Sequence, residues 1–245
     1  MKSMVSTAIV LSAGVGKRMG GTISKQYLEL SGKPVIYYTL KAFEKSNINN
    51  IILVVGKDDD EYIKQEIIEK YNIKKITNIV HGGLERYNSV YNGLKKAEDS
   101  DIVLIHDGAR PFIKPQEINN IIEETKLHHA CVAAVKSKDT IKISDENGFV
   151  NYTPLRKSVW NVQTPQGFDY KIIKEAYENI ISGEKANNNI NCKEITDDAM
   201  VLERYNKEIK IKLIECSYEN MKLTTPEDME LGKAIIKGLK SFEKT

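Results

Sequence analysis

Residues 7–27 read Thr7-Ala-Ile-Val-Leu-Ser-Ala-Gly-Val-Gly-Lys-Arg-Met-Gly-Gly-Thr-Ile-Ser-Lys-Gln-Tyr27 and form the most informative stretch of the chain. Residues 7–11 form an apolar run that predicts a buried strand. The strand stops at a glycine turn, and three cations follow it: Lys17, Arg18 and Lys25. Glycines let a backbone come close to a ligand, and free N–H groups bind phosphate oxygens. The pattern indicates a nucleoside triphosphate site at a strand end, although a tight turn with solvated cations would show the same residues.

Two better-known phosphate loops do not fit this stretch. A P-loop needs a glycine where Leu11 stands, and Ser or Thr where Arg18 stands. The dinucleotide fingerprint needs a third glycine where Met19 stands. P-loop hydrolysis and hydride transfer therefore lose support.

The rest of the first half alternates strands with helices. The predicted strands are 7–11, 51–55, 76–80, 101–105 and 131–135, and the predicted helices are 35–45, 59–71, 85–97 and 115–129. Strands rich in Val and Ile that alternate with helices predict an α/β protein, whose parallel sheet is covered on both faces. Ligands of such sheets bind at the carboxyl ends of the strands.

The pattern changes after residue 135. Strand-like pieces at 140–143 and 149–152 flank the turn Asp145-Glu-Asn-Gly148, which predicts a hairpin. A lone hairpin is barely stable in water, so its own domain or a second subunit should cover it. A helix at 170–181, a short helix near Thr196, a strand at 209–216 and a helix from Pro226 complete the order.

Composition narrows the class of protein. The 245 residues suit one domain, 1–245. The net charge of +2 balances 36 basic against 34 acidic residues, so no general field favours nucleic acid or membranes. The cysteines, Cys131, Cys192 and Cys216, form no CxxC pair and are expected to pack. No apolar segment approaches the ~20 residues of a membrane span, and no signal peptide is evident, so a cytoplasmic location is expected.

Polar residues at the predicted strand ends are candidates for chemistry. Asp107 ends a buried strand opposite the cation-rich loop, which suits a Mg²⁺ ligand, although it could instead cap its turn and pair with Arg110. His106 is an acid–base candidate or a satisfied structural histidine. The turn Gly82-Gly83 and Ser89 could contact a base edge or form a plain helix cap.

Together the segments resemble the 2-C-methyl-D-erythritol 4-phosphate cytidylyltransferase family of the non-mevalonate isoprenoid pathway. The residues that carry the resemblance are Leu11-Ser-Ala-Gly-Val-Gly-Lys-Arg-Met19, Lys25-Gln-Tyr27, His106-Asp-Gly-Ala-Arg-Pro111, Gln163-Thr-Pro-Gln166 and Thr196-Asp-Asp-Ala199. The resemblance implies a Rossmann-like nucleotidyltransferase fold with a protruding β-arm, residues 136–163. It also implies a homodimer in which that arm completes the neighbouring site.

The resemblance assigns roles by position. It implies that CTP is bound by Ser12, Ala13, Gly14, Gly16, Arg18, Lys25, Gly82, Gly83, Ser89 and Asp107. It implies that the sugar phosphate is bound by Asp107, Arg110, Thr164 and Lys222, with Thr140 and Arg156 reaching it from the partner. Asp107 would support Mg²⁺, and Arg18, Lys25 and Lys222 would be the catalytic cations. A sister family that uses ribitol 5-phosphate, and a non-catalytic nucleotide-binding module, remain as alternatives.

Overall fold

The computed structural model describes residues 4–14, 24–182 and 195–242, with side chains up to residue 238. Its strands are β1 Ser6–Ser12, β2 Glu29–Leu30, β3 Lys33–Pro34, β4 Asn50–Val55, β5 Ile76–His81, β6 Ile102–Asp107, β7 Ala130–Lys136, β8 Ile143–Ser144, β9 Val150–Tyr152, β10 Trp160–Asp169 and β11 Lys212–Glu215. Its α-helices are α1 Val35–Glu44, α2 Asp60–Tyr62, α3 Arg86–Leu94, α4 Pro115–His128, α5 Tyr170–Ser182, α6 Asp198–Tyr205 and α7 Pro226–Phe242. A π-helical segment, Ile63–Glu69, continues α2, and short 3₁₀ turns lie at Lys25–Tyr27 and Arg156–Ser158.

The described residues form a seven-stranded sheet in the order β11-β7-β10-β6-β1-β4-β5. Every neighbouring pair is parallel except those that include β10, which runs antiparallel to both β6 and β7. The predicted mostly parallel α/β sheet is therefore confirmed. From β1 the chain proceeds to β4 and β5 on one side and then to β6 on the other, so the strand order reverses at β1.

Strand alternation divides the core into two layers. In β1, Ala8 and Val10 face α1 and α4, whereas Ile9 faces α3 and α5. The same alternation occurs in β4, where Ile51, Leu53 and Val55 lie on the first face and Ile52 and Val54 on the second. Apolar side chains on both faces explain why the predicted strands are continuous runs rather than alternating ones.

The sequence pattern did not predict the short strands β2 and β3 or the long strand β10, and β10 is the one that changes the sheet. Residues 160–163, assigned above to the arm, pair with the central sheet: Trp160 opposite Lys136, Asn161 opposite Val135 and Val162 opposite Ala134. The register then shifts between Val162 and Gln166, around Pro165. Proline cannot donate to a ladder and is found at such irregularities, so this strand lacks the usual sequence signal.

The predicted hairpin forms the arm, with shorter strands than predicted. Strands β8 and β9 pair antiparallel, and Gly148 takes a positive φ of 85° in the turn between them. Phe149 is 73% exposed, and four further apolar side chains of the arm lie open to solvent: Ile143, Val150, Tyr152 and Leu155. One chain therefore leaves an apolar surface uncovered on the arm.

Candidate active site

Two adjoining cavities lie at the carboxyl ends of β1 and β6, where the strand order reverses. Leu11 of β1 is opposite Asp107 of β6, so both strands end at the same level. The first cavity holds about 330 Å³ and the second about 250 Å³. Arg86, Asp107 and Lys222 line both. A reversal point of this kind is where open α/β sheets bind ligands.

Most of the predicted site residues meet at these cavities. The first is lined by Ala13, Gly14, Lys25, Gly83, Ser89, Asp107 and Lys222, and the second by Asp107, Arg110, Thr164 and Lys222. Ser12 and Gly82 do not line the first cavity, but each is next in the chain to a residue that does, Ala13 and Gly83. Gly16 and Arg18 fall outside the described residues. Thr140 and Arg156 are exposed on the arm and line neither cavity.

The end of β1 is fixed by the segment that carries Lys25. The side-chain amide of Gln26, which is buried, donates to the carbonyl oxygen of Ser12. Tyr27 donates to Asp59 Oδ2 at 2.8 Å. These bonds hold Lys25 beside the glycine turn, where a cation can face phosphate oxygens. Among the described residues other than its chain neighbours, no atom lies within 4 Å of a Cβ built on Gly14, so no described side chain covers its backbone.

The second glycine turn, at Gly82 and Gly83, packs closely against the residues that follow β1. A Cβ on Gly82 would lie 2.4 Å from the Ala13 Cβ, so only glycine fits against the end of β1. The Gly83 N–H donates to Ser89 Oγ at 3.0 Å, and the Ser89 hydroxyl donates to the Glu85 carbonyl at 3.2 Å. The turn is therefore tightly built, and Gly83 and Ser89 remain at the wall of the first cavity.

Asp107 is surrounded by three cations. Its Oδ2 lies 2.9 Å from Lys222 Nζ and 3.5 Å from Arg110 Nε, and its Oδ1 lies 3.5 Å from Arg86 Nε. Burial alone would raise the pKa of Asp107, but the charges of Arg86, Lys222 and Arg110 outweigh it and hold the pKa well below the usual range. The carboxylate is thus ionised and held between the two cavities. The pairing with Arg110 that the sequence left open is present.

Lys222 is brought to the site by its neighbours in the chain. Asn220 is fully buried, and its amide donates to Gln163 Oε1 at 3.0 Å and to the Thr164 carbonyl at 2.8 Å. The Leu223 N–H donates to the Ala109 carbonyl at 2.8 Å. Lys222 is therefore held between β10 and the turn after β6 with its ammonium group on Asp107, a placement that a single lysine in a sequence does not reveal.

His106 has a structural role. Its Nδ1 lies 3.0 Å from Thr164 Oγ1 and its Nε2 lies 3.2 Å from the Arg110 carbonyl, which assigns the proton to Nε2. Burial lowers the pKa of His106 to about 3. The Thr164 hydroxyl also accepts from the Asp107 N–H at 3.1 Å. Thr164 thus supports the end of β6 while it lines the second cavity.

Arg86 is the site residue that the sequence reasoning missed. It begins α3, and its Nη1 and Nη2 donate to Asp198 Oδ1 and Oδ2 at 2.8 and 2.7 Å. Burial lowers the pKa of Arg86, but the Asp198 and Asp107 carboxylates outweigh that effect and raise it well above its usual value. The available signal was its position just after the glycine turn, together with the Thr196-Asp-Asp-Ala199 motif.

The donor set around Asp107 bears on metal binding. Among the described residues, no group of three or more His, Cys, Asp or Glu side chains could hold a metal ion. Mg²⁺ typically takes one or two carboxylates and completes its shell with phosphate oxygens and water. A single ionised carboxylate between two cavities fits such an ion when it arrives with a polyphosphate, and does not fit an ion held by protein alone.

Comparison with known proteins identifies relatives along nearly the whole chain. The family model for IspD, 2-C-methyl-D-erythritol 4-phosphate cytidylyltransferase, matches residues 6–238. A relative of that name from Lachnoclostridium phytofermentans is 50% identical over 236 residues, which cover 96% of this chain and 98% of that protein. One from Lachnospira eligens is 48% identical over 96% of this chain and 100% of that protein.

Solved structures agree with the sequence matches. The crystal structure of 4-diphosphocytidyl-2C-methyl-D-erythritol synthase from Anaerococcus prevotii superposes with a TM-score of 0.84 at 35% identity, covering 96% of each chain. The 2-C-methyl-D-erythritol 4-phosphate cytidylyltransferase (IspD) from Francisella tularensis gives a TM-score of 0.72 at 29% identity, over 93% of this chain and 97% of that chain. In the described part of this chain, none of the helices has the length and apolar character to cross a membrane.

Proposed function

Since this chain belongs to the 2-C-methyl-D-erythritol 4-phosphate cytidylyltransferase family, we propose that it joins CTP to 2-C-methyl-D-erythritol 4-phosphate. The products are 4-diphosphocytidyl-2-C-methyl-D-erythritol and pyrophosphate. The observation that carries this proposal is the pair of adjoining cavities, which share Asp107 and Lys222 at the reversal point of the sheet. A reaction in which the sugar phosphate attacks the α-phosphorus of CTP requires that the two binding sites adjoin.

The first cavity suits the nucleotide and the second the sugar phosphate. Glycine backbone at Gly14 and Gly83, together with Lys25, offers the donors and close approach that a triphosphate needs. Arg110 and Lys222 supply positive charge to the second cavity. A phosphate oxygen of the sugar would then attack the α-phosphorus of CTP in line, and the bond from that phosphorus to the pyrophosphate oxygen would break.

The attacking phosphate oxygen is already anionic near neutral pH, so the step needs no general base. Catalysis would consist of positioning and of stabilising the charge on the transferred phosphoryl group and the leaving pyrophosphate. Lys25, Lys222 and Arg18 are proposed for that role. Asp107 would hold Mg²⁺ together with phosphate oxygens, and the ion when bound supplies further positive charge to them.

The arm is proposed to complete the neighbouring site in a homodimer. Thr140 and Arg156 lie on the arm and line neither cavity of their own chain. The exposed apolar side chains of the arm would be covered by a second copy. If so, Arg156→Ala and Lys25→Ala chains should each be nearly inactive and should recover activity when reassembled as heterodimers. Heterodimers that form and remain inactive would mean that each site is built within one chain.

A comparison of substrates tests the proposed reaction. Pyrophosphate release is measured at fixed CTP and Mg²⁺ with 2-C-methyl-D-erythritol 4-phosphate and, separately, with ribitol 5-phosphate. Faster turnover with the erythritol phosphate is expected, whereas preference for ribitol 5-phosphate would favour the sister activity. CTP binding without release in either reaction would indicate a non-catalytic nucleotide-binding module. A cytoplasmic location, where the chain would meet CTP, remains a prediction.

A further inference from the structure

A buried acidic residue, Asp198, holds Arg86 between the two cavities. Asp198 is fully buried, and both of its carboxylate oxygens accept from the guanidinium of Arg86, at 2.8 and 2.7 Å. Arg86 in turn is 31% exposed and lines both cavities. The pair therefore joins the protein interior to the point where the two substrates would meet.

Other buried groups fix Asp198 itself. Tyr177 of α5 donates to Asp198 Oδ1 at 2.6 Å. Gln166 of β10, also fully buried, accepts from the Asp198 and Ala199 N–H groups at 3.1 and 2.9 Å, while its own amide donates to Asp197. Helices α3 and α5 thus bind the Asp198 carboxylate, while β10 holds its backbone. The two-bond fork leaves the guanidinium a single orientation.

The guanidinium retains donors for a ligand. Of its five N–H groups, two reach Asp198 and one points toward Asp107 Oδ1 at 3.5 Å. The other two N–H groups make no hydrogen bond to a residue that the structure describes, and the side chain lines both cavities. A planar cation in this place is suited to phosphate oxygens, and its rigidity means that it need not reorganise during the reaction.

We propose that Arg86 is a further phosphate-binding residue of this site and that Asp198 is its positioning residue, with Tyr177 and Gln166 in support. The proposal rests on the proposed function, because it places the Arg86 N–H groups on the phosphates of the two substrates. It also assigns a purpose to the Asp198 charge. A site that binds anions gains nothing from a nearby carboxylate unless that carboxylate orients a cation.

The direction in which Asp198→Asn changes kcat distinguishes a positioning role of Asp198 from a purely electrostatic one. Asp198→Asn removes a negative charge and makes the site more positive, so a purely electrostatic role predicts tighter anion binding and no loss of turnover. Positioning predicts a fall in kcat on the order of 10-fold to 100-fold. The KM for CTP should change by less than about threefold, because Arg86 keeps its charge in this variant and loses only its fixed orientation.

A double-mutant cycle provides the decisive test. We measure kcat from pyrophosphate release for wild type, Arg86→Lys, Asp198→Asn and the double variant. If Asp198 acts through Arg86, Asp198→Asn should cost little once Arg86 is already lysine. Losses that multiply in the double variant would overturn the proposal, because they would show that Asp198 acts independently of Arg86.

Two further variants serve as a substitute for Asp198→Asn, in case it does not fold, and as a negative control. If Asp198→Asn does not fold, Tyr177→Phe removes one hydrogen bond to Asp198 and keeps the ring, and a folded Tyr177→Phe protein with unchanged kcat would overturn the proposal. Glu178→Gln alters the neighbouring residue of α5, in a partly exposed ion pair with Lys174, and should leave kcat unchanged.

Calorimetry with inorganic tripolyphosphate separates this proposal from the proposed function. A wild-type protein that releases no pyrophosphate with either sugar phosphate would refute the proposed function alone. Arg86→Gln should still weaken tripolyphosphate binding by about tenfold, the usual worth of one hydrogen bond to a charged group. Equal affinity of wild type and Arg86→Gln would refute the role of Arg86 whatever the enzyme activity.

Discussion

Replacing Thr164 by valine should destabilise the protein far more than its small change in shape suggests. Thr164 is 4% exposed, and its hydroxyl accepts from the Asp107 N–H at 3.1 Å and lies 3.0 Å from His106 Nδ1. Valine has nearly the same shape but offers neither a donor nor an acceptor. Thr164→Val therefore leaves two buried polar groups without partners.

The size of the effect follows from those two groups. A buried polar group that loses its partner costs about 1–3 kcal/mol, so two groups give a loss of about 2–6 kcal/mol in the free energy of unfolding. Thr164→Ser is the matched control, because it keeps the hydroxyl and loses a methyl group, for about 1 kcal/mol. The two variants therefore separate hydrogen bonding from packing at one position.

Urea unfolding followed by far-ultraviolet circular dichroism gives both free energies. Protein concentration must be the same in all samples, because assembly would add to the apparent stability. We expect an order of wild type, Thr164→Ser and then Thr164→Val, with unchanged m-values. A valine variant as stable as the serine variant would refute the assignment of Thr164 as the polar partner of Asp107 and His106.

Three further substitutions test other parts of the structure. Lys25→Ala should lower kcat by on the order of 100-fold or more in the pyrophosphate-release assay, whereas Lys126→Ala, in an exposed ion pair, should not; near-normal turnover would remove Lys25 from the mechanism. Gly82→Ala should cost about 1–3 kcal/mol in urea unfolding, as should Gly93→Ala at a second crowded position, and a Gly82→Ala stability equal to wild type would contradict the close approach to Ala13. Phe149→Ser should raise the monomer fraction in sedimentation velocity, and an unchanged fraction would argue against the arm as the dimer contact.

The sequence predicts those strands and helices whose hydrophobic pattern lies within one short segment of the chain. Strands such as β1 and β6 are buried on both faces, so they appear as continuous Val and Ile runs in the sequence. Strand β10 lies in the same sheet, but Pro165, Gly167 and two glutamines interrupt its pattern. It is held by neighbours on both sides rather than by its own propensity, and this support is not visible in a single chain segment.

The residues of the candidate site also differ in whether a local sequence pattern predicts them. The glycine turn and Asp107 were found because each stands at the end of a predictable strand. The Arg86–Asp198 pair joins residues 112 positions apart, and predicting it requires the position of β10 in the sheet. Lys222 is assigned to the site only by the resemblance to the family, because no local pattern distinguishes it from a solvated lysine. The arm residues Thr140 and Arg156 remain predictions, because their proposed contacts involve a second chain.

The arm is attached to the sheet at a single place, between the end of β7 and the start of β10. Lys136 and Trp160 are paired neighbours on adjacent antiparallel strands, and Ser137 N–H donates to the Val159 carbonyl at 3.0 Å just beyond them. The whole segment 137–159 is therefore an excursion that leaves and re-enters the sheet at one place. The entropy of closing a loop changes only slowly with its length, so this excursion can lengthen or shorten at little cost while the strands below keep their register. Outside Thr140 and Arg156, the proposed contact between copies can thus diverge at a different rate from the nucleotide site within one gene.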